Sequence, residues 1–95
     1  MEYLEPGMNK RYRRYKASKR VSARASAIQI PVGRGKRLPP TINKDLTIKG
    51  RRKLFKLMEV QHIKNLYIPQ TDVITIEVDD PNNWVYVERW AGIKA

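Results

Sequence analysis

Residues 10 to 44 hold twelve lysines and arginines and no aspartate or glutamate. That one-sidedness limits what the chain can fold into more than any other feature. Like charges at this density repel, and the segment carries too little apolar surface to offset the entropy of ordering it. A polyanion supplies the missing attraction, and nucleic acid is the expected one, RNA ahead of DNA. The expected organisation is a basic arm over residues 1–44, disordered unless bound to nucleic acid, followed by a small α+β domain over residues 45–95.

Charge is divided along the chain in the same way. The formal net charge is +11. Residues 72–95 nevertheless run acidic, with Asp72, Glu77, Asp79, Asp80 and Glu88 against Arg89 and Lys94. One end is expected to face nucleic acid and the other solvent or protein. Of 95 residues, roughly fifty remain for a core once the arm is set aside, near the lower limit for folding unaided. With no cysteine in the chain, a disulfide framework and Cys-ligated zinc are both excluded. Apolar runs are far shorter than the roughly twenty residues that span a bilayer. The start, with Glu2, Glu5 and Pro6, lacks the pattern of a secretory signal. The expected location is the cytoplasm or the inside of a particle, ribosome or virion. A mitochondrial matrix location stays open because the basic, Ser-containing segment also suits a transit peptide.

Within the arm, Tyr12 and Tyr15 stand among Lys10, Arg11, Arg13, Arg14 and Lys16, where rings can stack on bases while guanidinium groups fork onto phosphate. Packing against the protein's own domain or a neighbour is the other role open to both rings. Lys19, Arg20 and Arg24 continue the charge through an Ala- and Ser-rich segment able to become helical on binding. Residues 28–32 read as extended, since Pro31 biases its predecessor away from helix. Residues 33–40, with Arg34, Lys36 and Arg37 between Gly33, Gly35 and the Pro39–Pro40 pair, read as a linker. The spacing is not that of a phosphate-binding glycine loop.

Leu54, Met58, His62 and Leu66 recur every four residues, which predicts one helix over residues 54–67 stopped by Pro69. Arg51, Arg52 and Lys53 then sit at the positive end of its dipole, a placement that favours a bound phosphate over local stability. Residues 72–78 and 84–90, rich in β-branched and aromatic side chains, predict a C-terminal β-hairpin around the Asp79–Asn83 turn. A four-residue loop pairs Ile76 with Val85 and Ile74 with Val87. Trp84, Tyr86 and Trp90 fall on the opposite face and are expected to stack bases or, in preference, to meet a protein partner or the core.

Catalytic chemistry has little to draw on. His62 is the only histidine and falls in the apolar stripe, so a structural role is expected. Asp79, Asp80, Asn82 and Asn83 are turn residues before they are metal ligands. No catalytic residue, metal, cofactor, small-molecule substrate or membrane is expected. The function expected is that of a non-enzymatic structural protein of a large nucleoprotein assembly, of the ribosomal RNA-binding type. Its contacts would run through Lys10, Arg11, Arg13, Arg14, Lys16, Lys19, Arg20, Arg24, Arg34, Lys36, Arg37, Arg51, Arg52 and Lys53. The alternatives are a small virion protein neutralising a packaged genome, a free-standing DNA-binding regulator, and an adaptor whose acidic end captures a protein.

Overall fold

The computed structural model describes residues 2–7, 9–23, 28–33, 35 and 37–92, the side chain of residue 41 excepted. Its elements are β1 (Glu2–Pro6), β2 (Tyr12–Lys16), β3 (Ile28–Ile30), α1 (Pro40–Asn43), α2 (Ile48–Met58), β4 (Ile63–Gln70), β5 (Val73–Val78), a 3₁₀ turn (Pro81–Asn83) and α3 (Trp84–Trp90). The strands form one antiparallel sheet in the order β1-β2-β5-β4-β3. The expected fold, one helix and a C-terminal hairpin behind an extended arm, is thereby corrected. Three of the five strands come from the basic half.

β5 occupies the centre because Val-Ile-Thr-Ile-Glu-Val suits a strand flanked on both sides. All six of its residues are buried. Ile74, Ile76 and Val78 point to one face and Val73, Thr75 and Glu77 to the other. The first face meets the helices. Leu54, Leu57 and Met58 of α2, and Trp84 and Val87 of α3, pack there with Tyr15, Leu66 and Ile68. No described helix covers the second face.

Two elements differ from expectation for identifiable reasons. α2 ends at Met58, and the helix expected to continue to residue 67 gives way to β4. His62, at φ 73°, turns the chain between them through the left-handed region. The four-residue spacing therefore spans two elements: Leu54 and Met58 belong to helix, whereas Leu66 and Ile68 alternate along a strand. Pro69 does not stop a helix. It sits where the β4–β5 ladder shifts register between Tyr67 and Gln70, a position that tolerates a missing N–H.

The second difference is the hairpin. β5 pairs with β2 and β4, so Ile76 lies opposite Arg13 and Leu66, and Ile74 opposite Tyr15. The residues expected as its returning strand form α3 instead. Asp80 accepts a hydrogen bond from the Asn82 N–H at 2.8 Å, and Pro81 follows in the first turn. An Asp-Pro pair is helix-start chemistry as much as turn chemistry. No helix among the described residues is long and apolar enough to cross a membrane.

Residues 17–23 join the layers. Ala17 and Val21 donate their N–H groups to the carbonyls of Asp72 and Thr71, in the β4–β5 turn, at 2.8 and 2.7 Å. Thr47 caps α2 by accepting from the Gly50 N–H at 3.0 Å and donates its hydroxyl to the Arg20 carbonyl at 2.6 Å. Gly50 lies so close that a Cβ there would stand 2.2 Å from the Val21 carbonyl oxygen. Because that neighbour is backbone, Gly50→Ala is expected to cost at least about 1–3 kcal/mol. Urea denaturation measures it, and wild-type stability in the variant would show that the two segments separate freely.

Candidate nucleic-acid interface

The basic half does not present its cations uniformly, because the fold gives several of them anions. Arg13 donates to the Glu88 carboxylate. Its guanidinium also lies over Trp84, 4.7 Å from the ring centre, and over Tyr3 at 5.6 Å. The Tyr15 hydroxyl donates to the same Glu88 oxygen at 3.0 Å. Burial first, then the Glu88 charge, pushes the Tyr15 phenol above its ordinary value, so the ring remains a donor. Arg14 pairs with Glu5 at 2.8 Å, and Lys16 stands opposite Glu2 in the β1–β2 register. These three cations therefore face carboxylates from β1 or α3.

A different set remains uncompensated. Lys19, Arg20, Lys49 and Lys53 line a cleft of about 140 Å³ with Ser18, Val21 and Gly50. No acid lines it, and among the described residues none forms an ion pair with these four side chains. Two come from the loop after β2 and two from the first turns of α2. The contact between Gly50 and Val21 brings those segments side by side. Gathering four like charges without counterions raises the free energy of the folded state, and a polyanion lowers it again.

The helix start differs in detail from expectation. Thr47 is the cap and Ile48 the first helical residue. Lys49 is therefore the first-turn cation, with Arg51, Arg52 and Lys53 in the second turn. Arg51 donates Nε–H to the Asn43 carbonyl at 3.2 Å, which ties it to α1. Arg52 is exposed. Lys10, Arg11 and Arg37 are also exposed, whereas Arg24, Arg34 and Lys36 lie outside the described residues. Lys49 is the contributor that composition alone misses. Its signal is the Thr47 cap followed three residues later by Gly50.

The aromatic residues separate as well. Tyr15 is fully buried and Trp84 is 3 % exposed. The indole N–H of Trp84 donates to the Lys10 carbonyl at 2.7 Å, so both rings serve the core. Tyr86 donates to Gln61 at 3.3 Å and meets His62 edge-on at 5.1 Å. Trp90, at 59 % exposure, is the ring of this group most open to solvent. Tyr12, three residues from Tyr15, points to the opposite face of the sheet, beside Glu77 and away from the helices.

His62 sits among polar partners and not in an apolar stripe. Its Nδ1 lies 3.0 Å from Asp79, and Asn83 donates to the other Asp79 oxygen at 2.9 Å. These contacts hold the Asp79 carboxyl below its ordinary range.

Two carboxylates give measurable consequences. Burial raises the Glu77 pKa, but hydrogen bonds from Asn65 and Tyr12, with Lys64 and Arg11 nearby, outweigh it and leave a net lowering. A lowered folded value means its stabilisation is complete above the unfolded carboxylate pKa of about 4.3 and is lost as pH falls through the folded value. Glu77→Gln is therefore expected to flatten the loss of stability below about pH 4, read from urea midpoints. An acid limb as steep as that of the wild type would contradict this. Glu88→Gln is expected to cost about 1.5–3 kcal/mol at neutral pH, because Arg13 and Tyr15 share that anion. Unchanged calorimetric stability would show the pair to be incidental. Comparison with family models, curated protein sequences and solved structures finds no match for this chain.

Proposed function

We propose that this protein is a non-enzymatic structural component of a large nucleoprotein assembly, of the ribosomal RNA-binding type, that grips phosphate with Lys19, Arg20, Lys49 and Lys53. The observation that carries this reading is the acid-free cleft those side chains line at the meeting of residues 17–23 and α2. Arg52 and the exposed Lys10, Arg11 and Arg37 extend the contact, and the Gly- and Pro-punctuated residues 28–40 suit close passage along folded RNA. Arg13, Arg14 and Lys16 play a lesser part because carboxylates of α3 and β1 face them. The working location is inside a particle, where neighbouring proteins cover Trp90.

Each phosphate contact releases counterions, so affinity falls with salt at about 0.9 logarithmic units per contact on duplex. Replacing Lys19, Lys49 and Lys53 with Gln is expected to flatten that slope by roughly two to three units. Thermal stability should hold or rise, since like-charge repulsion is removed. Titration of structured RNA at several salt concentrations provides the measurement. Equal affinity and slope in the variant would overturn the assignment.

A further inference from the structure

The helix-free side of the sheet holds a groove of about 510 Å³ that the phosphate contacts leave unused. Gly7, Tyr12, Arg14, Gln29, Tyr67 and Thr75 are among the residues that line it. We propose that this groove takes an unpaired nucleobase held between Tyr12 and Tyr67, an assignment that rests on the nucleic-acid reading above.

The register sets the geometry. Tyr12 pairs with Glu77 on one side of β5, and Tyr67 pairs with Thr75 on the other. Strand spacing and rise place the two residues about 12 Å apart on the diagonal. A planar ring lying midway between them, over the Thr75–Glu77 stretch of β5, is then about 6 Å from each position, within the 4.5–7 Å range of aromatic pairs. Gly7 makes room on the Tyr12 side, since a Cβ there would stand 2.4 Å from the Tyr12 Cβ. The volume also falls in the range of small-ligand pockets.

The polar lining favours a base over an apolar side chain. Arg14 is held through one terminal nitrogen by Glu5, and its Nε is buried with no partner. The side chain as a whole is 43 % exposed, and a guanidinium edge at the groove suits the carbonyl and ring-nitrogen acceptors of a base. The Thr75 hydroxyl and the Gln29 amide add adaptable partners. Charge on this face argues against a phosphate there. Glu5 answers Arg14, Glu2 stands opposite Lys16, and Glu77 is buried and engaged by Asn65. The excess cations begin just beyond β2, at Lys19 and Arg20.

The experiment compares a labelled oligouridine with a matched RNA duplex by fluorescence anisotropy, using the full chain. Tyr67→Ala and Tyr12→Ala are each expected to weaken single-strand binding roughly five- to a hundredfold, the effect of losing one stacked base. Duplex affinity should be unchanged. Tyr67→Phe keeps the ring and should bind as the wild type does. Photo-cross-linking of the wild type to 5-iodouridine RNA needs no folded variant and is expected to label Tyr12 or Tyr67. Binding of both nucleic acids with tyrosine-insensitive affinity, or cross-links confined to residues 19–20 and 49–53, overturns the groove and leaves the phosphate reading standing. Absence of binding to either nucleic acid overturns both.

Discussion

The contact between Gly50 and the Val21 carbonyl leaves no space for a side chain, and other features inherit its position. Val21 is a core residue whose N–H holds the β4–β5 turn and whose carbonyl accepts from Thr47. The same short segment therefore fixes the sheet's central hairpin, the cap of α2 and the spacing between them. Helix–backbone approach this close requires a residue without a side chain. Once α2 is seated, Leu54, Leu57 and Met58 reach the apolar face of the sheet. Packing and charge placement thus share one determinant: the seat that orients the helix also sets Lys49 and Lys53 beside Lys19 and Arg20.

The distribution of counterions gives the basic half a division of labour. Arg13 is attached to α3 through Glu88 and to the aromatic cluster through Trp84 and Tyr3. An arginine in that setting works as a tether, its planar cation satisfying a carboxylate and two rings at once. Arg14 and Lys16 face β1 glutamates instead. Among the described residues, Lys19, Arg20, Lys49 and Lys53 gather around a cleft that no acid lines. A net charge of +11 therefore overstates what the sheet region offers a polyanion and understates how concentrated the remainder is.

What could be read in the sequence is uneven, for physical reasons. The extended character of Ile28–Ile30, the strand at Val73–Val78 and the helical character of Leu54–Met58 all follow from local pattern, although α2 begins earlier, at Ile48. The rest depends on partners far along the chain. Tyr12 and Tyr15 share a side only if helical, and pairing of β2 with β5 places them on opposite faces. Nothing near Arg13 announces a carboxylate at Glu88. Tyr67 is invisible as a surface aromatic while residues 54–67 are taken for one helix, and it emerges once His62 turns the chain. The basic composition marks a class of ligand, whereas its focus at residues 19–20 and 49–53 exists only in three dimensions.

His62 carries one further consequence. A histidine in the left-handed region costs on the order of 1–3 kcal/mol and persists only where surrounding structure over-determines it. Here the stabilising contacts come from Asp79 and Asn83, after β5, through the Asp79 N–H to the His62 carbonyl at 2.9 Å and through the ring nitrogen. The corner between α2 and β4 therefore depends on residues synthesised later and held by the far end of the hairpin. Those contacts exist only while β4 and β5 are paired, so the corner shares the stability of the hairpin and does not stand as an independent local turn.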